Sequence, residues 1–120
     1  MKKNKERNKM SECLFCKMIA GEIPADIVYQ DDKILVFKDI YPKADVHLLA
    51  IPKKHYCDLN DISEKDPQTL SYLMNKIPEI TKLQGVGSGY RTIINTGKEG
   101  GQVIFHLHAH ILSGTNLPGF

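Results

Sequence analysis

His-Leu-His-Ala-His-Ile-Leu, residues 106 to 112, closes the longer run QVIFHLHAHIL at 102 to 112 and holds three of the chain's five histidines. Strict alternation predicts a strand. Residues i, i+2 and i+4 then share a face, so His106, His108 and His110 form a row while Leu107, Ala109 and Ile111 pack the other way. Such a row can hold a metal, supply a nucleophile, or decorate a surface. A catalytic metal on all three is disfavoured, because the next acidic residue upstream is Glu99 and none follows. The preceding KEGGQ (98 to 102) suits an anion instead, since glycines let backbone N–H groups approach a phosphate closely. A neutral imidazole with one nitrogen tied to a carbonyl keeps the other free as nucleophile or base.

Working outward, YRTIINTG (90 to 97) reads as the partner strand, joined to the histidine strand by KEGG. ADIVYQ (25 to 30) and KILVFKD (33 to 39) read as a hairpin turning at Asp31-Asp32. DVHLLAIP (45 to 52) is a further strand, with Val46, Leu48 and Ala50 on one face and His47, Leu49 and Ile51 on the other. Leu70, Leu73, Met74, Ile77, Ile80 and Leu83 fall at helical spacing, so a long helix is expected between Ser63 and about Leu83, with Asp66-Pro67 as cap and first turn. Pro78 inside it removes an N–H, and a kink or early end is expected there. LFCKMIA (14 to 20) forms a short helix ending at Gly21. Short connections force antiparallel neighbours, so the fold class is α+β: a five-stranded antiparallel sheet with one long and one short helix.

The 120 residues, 42% hydrophobic and 25% charged, suit one soluble domain at 11 to 120. The net charge of +2 hides an asymmetry: the first ten residues carry +4 and the remainder about −2. That basic segment, 1 to 10, is expected to be disordered. No apolar run reaches the ~18 residues of a membrane span and no secretory signal is present, so a cytoplasmic location without membrane partner is expected, and nucleic acid is a disfavoured partner. Three cysteines without a signal do not suggest a disulfide framework. Cys13 and Cys16 form C-x-x-C, which points to metal or redox chemistry, the latter weakened by the lack of a preceding strand. Cys57 is assigned to packing.

GGQVIFHLHAHIL resembles the histidine-triad motif of the HIT superfamily. CLFCKMIAGEIPA, VFKDIYP, VHLLAIPKKH and YRTIINTGKEGGQ resemble the remaining blocks of its Hint branch, in order, over roughly residues 12 to 114. The resemblance implies a HIT-like fold and a hydrolase of purine nucleoside 5′-phosphoramidates working through a nucleotidyl-histidine intermediate. His108 would be the nucleophile, His110 its phosphate-side partner in proton handling, and His47 the upstream histidine bonded to the triad. Asn95, Gly101, Gln102 and the backbone of Val103 would hold the phosphate; many Hint proteins have serine where Val103 stands. Asp39 would take the ribose hydroxyls, with Phe15, Phe37, Ile40, Leu49 and Met18 enclosing the base.

The same resemblance implies a structural zinc on Cys13, Cys16, His55 and His106, and a homodimer whose sheets join across the two-fold through residues 90 to 96. It leaves a tension, because His106 would face zinc while its row-mates face phosphate, which requires a twist or a metal at the strand end. The alternatives are a dinucleoside polyphosphate hydrolase of the Fhit branch, disfavoured by Ser113-Gly114 where Pro-Arg is typical, and a nucleotide-binding module with vestigial catalysis. The C-terminal NLPGF supplies Phe120 and no tryptophan.

Overall fold

A computed structural model describes residues 12 to 119; the expected disorder of residues 1 to 10 and the position of Phe120 lie outside the described residues. Helix α1 spans Leu14–Ile19, and its first turn is capped by the Cys13 sulfur, which accepts from the Cys16 amide at 3.3 Å. It ends as the sequence suggests. The Gly21 amide donates to Met18 O and the Glu22 amide to Lys17 O, a double closure that requires the positive φ of 78° at Gly21.

Strands β1 (Ile27–Gln30), β2 (Ile34–Lys38), β3 (Val46–Pro52), β4 (Arg91–Ile93) and β5 (Ala109–Ser113) form one sheet in the order β1-β2-β3-β5-β4. All four pairings are antiparallel, as expected. The β3 alternation sorts the core. Leu48 and Ala50 join Ile34, Val36, Ala109 and Ile111 on the face covered by the long helix. Leu49 and Ile51 join Leu35, Phe37 and Phe15 on the other face, under α1. β3 is therefore buried on both sides, each large side chain contributing roughly 1.5–3 kcal/mol of transfer free energy.

Two expectations for the helices are corrected. The chain has a further helix, α2 (Leu59–Lys65), capped by the Asp58 carboxylate on the Asp61 amide at 2.9 Å. Asp66 ends it and caps the long helix α3 (Pro67–Leu83), accepting from the Thr69 amide at 3.2 Å and the Thr69 hydroxyl at 2.6 Å. The helix also runs through Pro78 without ending. Leu73, Ile77 and Ile80 anchor the buried side, whereas Met74 and Pro78 are exposed, so the Met74 carbonyl that loses its partner can bond water.

The last two strands are shorter than expected. Of residues 90 to 97 only Arg91–Ile93 pair, and of 102 to 112 only 109 onward. Gly97 (φ 73°) and Gly101 (φ 88°) flank a 3-10 turn at Lys98–Gly100, and the chain beyond leaves the sheet. Gln102, with 4% of its surface exposed, fixes that excursion: its Oε1 accepts from the Gly97 amide at 2.8 Å, and its Nε2 donates to Cys57 O at 2.7 Å and Ile104 O at 3.0 Å. Leu107 N then donates to Tyr56 O at 2.7 Å rather than to a sheet partner. Only His110 of the three clustered histidines belongs to the ladder.

Asp31 organises the first hairpin. Its carboxylate accepts from the Lys33 and Ile34 amides at 2.8 and 3.0 Å and from the Tyr29 and Tyr72 hydroxyls at 2.8 and 2.5 Å, tying the turn to α3. Burial alone would raise its pKa, but these four donors hold it well below the usual carboxylate range. A depressed folded-state pKa contributes stability that is present above the unfolded value of ~3.9 and is lost as pH falls toward the folded value. Asp31→Asn should therefore lower stability at pH 7 by about 1–3 kcal/mol, and the gap between variant and wild type should narrow in denaturant melts below about pH 4. A gap that does not depend on pH would contradict this account.

Candidate active site and metal centre

His47 on β3 and His110 on β5 come together because the pairing sets Leu49 opposite His110 and His47 opposite Leu112. His47 Nε2 lies 2.9 Å from His110 Nδ1, and His47 Nδ1 accepts from the Lys43 amide at 3.1 Å. An amide can only donate. His47 Nδ1 is thus bare, its proton sits on Nε2 and is donated to His110 Nδ1, and neutral His110 carries its own proton on Nε2. His108 has the opposite arrangement. Its Nδ1 is 2.8 Å from the His106 carbonyl, which can only accept, so Nδ1 bears the proton and Nε2 keeps its lone pair.

The three rings are neighbours, with centroids 5.0 Å apart for His108 and His110 and 5.2 Å for His47 and His110. Burial lowers the pKa of all three. For His110 the adjacent His108 and His47 lower it further, to about 4, and for His47 the Asp39 carboxylate offsets part of the effect. Neutral rings are the state that the hydrogen bonds require of His47 and His110 and that burial favours at His108. The site pairs a bare nitrogen on His108 with a donor chain running from Lys43 through His47 to His110.

Asp39 stands beside this chain, its Oδ1 fixed by the Tyr41 amide at 2.8 Å and its Oδ2 3.4 Å from His47 Nε2. It also borders an apolar cavity of about 180 Å³, lined by Phe15, Met18, Phe37, Ile40 and Leu49. That volume suits a nucleobase-sized group, since pockets for whole drug-sized ligands run to ~300–1,000 Å³. All five expected base-enclosing residues are thus brought together. Tyr41 and Ile104 line the cavity too and were missed from sequence, although Tyr41 lies two residues after Asp39. Both Ile40 and Tyr41 are largely exposed at its mouth.

The phosphate-side residues are placed less uniformly. Asn95 is half-buried beyond β4, Gly101 closes the 3-10 turn, and Val103 is 85% exposed. Gln102, expected among the nucleotide-contacting residues, has a scaffold role in this fold. Its side-chain oxygen and nitrogen are taken within the chain, and its amide bonds Gly97 O at 3.0 Å.

Cys13, Cys16, His55 and His106 converge from three distant segments, their ligand atoms all within 4.8 Å of one another. Individual separations are 3.3 Å (Cys13 Sγ to His106 Nδ1), 3.3 Å (Cys16 Sγ to His55 Nδ1), 3.5 Å (Cys16 Sγ to His106 Nδ1) and 3.2 Å (His55 Nδ1 to His106 Nδ1). Tetrahedral bonds of 2.0–2.3 Å imply edges of about 3.3–3.8 Å. His106 Nε2 donates to Pro52 O at 2.8 Å, which turns a bare Nδ1 toward the cluster and supplies the carbonyl partner usual for a ligating histidine. Burial would raise both thiols. Contacts with His106 and His55 and the Cys16 amide instead bring Cys13 down to about 5, while Cys16, beside that sulfur, is pushed up to about 12. One sulfur is thus a thiolate and its neighbour a thiol; a cation between them would let both coordinate as thiolates, and the donor set fits a tetrahedral, thiophilic one.

Asp39, His47 and His110 are equally compact among the described residues. Their chemistry differs. The Lys43 amide confines the His47 proton to Nε2, so the nitrogen facing the group has no lone pair to give, and the trio works as a hydrogen-bond relay. The strand tension is resolved as well: His106 lies three residues before β5 begins, and the cluster sits off the end of that strand.

The chain matches over residues 12–119 the family model described as "Scavenger mRNA decapping enzyme C-term binding". It is 50% identical over 103 residues to "Protein HitA" of Neisseria gonorrhoeae, covering 86% of this chain and 96% of that one. It is 42% identical over 107 residues to "Purine nucleoside phosphoramidase" of Escherichia coli (strain K12), covering 88% and 90%. Among solved structures it resembles a histidine triad protein from Clostridium difficile (TM-score 0.84, 45% identity, 91% of this chain and 96% of that one). A HIT family hydrolase from Legionella pneumophila gives 0.82 at 42% identity, covering 87% and 94%.

Proposed function

We propose that this chain, which belongs to the histidine-triad superfamily and is a hydrolase, cleaves purine nucleoside 5′-phosphoramidates through a nucleotidyl-histidine intermediate. The observation that carries the proposal is the tautomer pair at the triad: a bare His108 Nε2 beside a proton-bearing His110 Nε2. His108 Nε2 attacks the α-phosphorus in line, the P–N bond to the leaving group breaks, and the His47–His110 chain delivers a proton to the departing nitrogen. The His106 carbonyl on Nδ1–H stabilises the positive charge that the phosphorylated imidazole acquires. In the second step water attacks phosphorus, gives its proton to the site, and releases the nucleoside monophosphate and His108. Fixing the imidazole replaces an encounter of water and substrate by two oriented displacements.

The base enters the Phe15, Phe37 and Leu49 cavity and Asp39 meets the ribose, while Asn95, Gly101 and the Val103 backbone meet the phosphate. Cys13, Cys16, His55 and His106 hold a structural zinc, which when bound cross-links three segments distant in sequence. β4 is an edge strand of the five-stranded sheet, which supports its pairing with a second copy across a two-fold. Among the described residues no helix is long and apolar enough to cross a membrane.

The test is a side-by-side assay of adenosine and guanosine 5′-phosphoramidates against diadenosine polyphosphates. Phosphoramidates should show at least tenfold higher kcat/KM. Faster cleavage of polyphosphates would transfer the chain to that activity, and AMP binding without turnover of any substrate would leave a binding module.

A further inference from the structure

We infer that the Cys13–Cys16–His55–His106 cluster is a positioning hub for the nucleophile, so that its loading sets kcat as well as stability. The inference rests on the proposed role of His108. It begins from a deficit: His108 precedes β5, and the sheet ladder that fixes His110 does not reach it. Its anchors come from elsewhere, and each traces to a segment that supplies a ligand atom to the cluster.

His106 itself gives the first anchor. Its Nδ1 faces the two sulfurs, its Nε2 is locked on Pro52 O at 2.8 Å, and its carbonyl receives His108 Nδ1–H at 2.8 Å. One residue therefore joins the cluster to the bond that selects the nucleophilic tautomer. Phe15 gives the second. Held between Cys13 and Cys16 and 1% exposed, its ring lies edge-on to His106 at 5.8 Å and to His108 at 5.2 Å, and it also lines the base cavity. The third follows His55: Tyr56 O takes the Leu107 amide at 2.7 Å, and Cys57 O takes Gln102 Nε2 at 2.7 Å, tying down the glycine turn.

Opening the cluster frees all three anchors together. His106 and Phe15 are positioning residues in this scheme, since they act on substrate chemistry through His108. The consequence differs from that of a purely structural metal. Folded protein without metal should bind AMP with an affinity reduced only modestly, because Phe37, Asp39, Ile40, Tyr41 and Leu49 line the cavity from segments that supply no ligand atom to the cluster, yet turn over slowly.

The experiment strips zinc with a chelator and reloads with cobalt(II), whose visible absorption in a cysteine–histidine site reports occupancy independently of activity. Circular dichroism confirms folding at the assay temperature. Turnover of adenosine 5′-phosphoramidate and the histidine Nδ1–H resonance of His108 by NMR are followed against occupancy. We expect kcat to fall at least tenfold in folded metal-free protein, the His108 resonance to broaden or vanish, and both to recover in proportion to cobalt absorbance. An unchanged kcat, within twofold, with the resonance intact would overturn the inference. If metal-free protein unfolds, zinc-saturated Cys16→Ser, checked for folding, replaces it with the same expectations and the same overturning result. If the loaded wild type turns over no phosphoramidate, the functional reading fails, and persistence or loss of the His108 resonance on stripping still decides the positioning claim.

Discussion

His108→Ala is expected to lower kcat for a nucleoside 5′-phosphoramidate by at least about 10³-fold, equivalent to about 4 kcal/mol or more of barrier, while AMP binding stays within roughly threefold of wild type. Removing a covalent nucleophile removes a step that no neighbour can take over. His110 cannot substitute, because its Nδ1 is occupied by the His47 proton and its Nε2 carries a proton of its own. The base cavity and Asp39 are untouched, so ground-state binding persists. His108 packs against Phe15 at 5.2 Å, so a thermal melt should accompany the assay; a stable variant with full turnover would remove His108 from the proposed mechanism.

The second large effect is expected at the proposed zinc ligands. Cys13→Ser should reduce bound zinc from about one per chain and lower the melting temperature by about 10 °C or more, if ligand loss costs ~3 kcal/mol and each kcal/mol shifts the midpoint by ~3–8 °C. Cys13 is 7% exposed, caps α1 and contacts a fully buried His106. A zinc-independent packing defect would give the same drop with and without chelator. The zinc account instead requires wild type and variant to converge once both are stripped, and a stripped wild type as stable as the loaded one would contradict it.

How much of this was legible in sequence varies by residue. The alternation in VHLLAIP predicted both faces of β3, because a strand buried on two sides must place apolar groups at successive positions. Asp66-Pro67 marked the start of α3 because cap and first-turn chemistry are local. Helix α2 was missed; its Asp58 cap was readable, but it lies little more than two turns before another cap at Asp66. The early end allowed for at Pro78 does not occur, because its cost depends on solvent at Met74, a tertiary fact. The triad row suggested one strand for all three histidines, yet the ladder begins at Ala109. What diverts the chain is Gln102 bonding Cys57 O, 45 residues away, and no local pattern encodes that contact.

The candidate site divides similarly. Resemblance to the histidine-triad blocks brought Cys13 and His106 together across 93 residues, which spacing alone could not do. It left open which nitrogen does what. The Lys43 amide and the His106 and Pro52 carbonyls settle that, as fixed donors and acceptors facing rings that could otherwise take either tautomer. They also separate two equally compact clusters into a relay and a metal-ready centre.

The most direct measurement of the central claim is mass spectrometry of enzyme quenched within the first turnover of adenosine 5′-phosphoramidate, followed by peptide mapping. The mechanism predicts an adenylyl group bonded to His108, formed as amine is released and lost as AMP appears. Rapid amine release with no adduct on any histidine, or an adduct on His110 that survives His108→Ala, would contradict it.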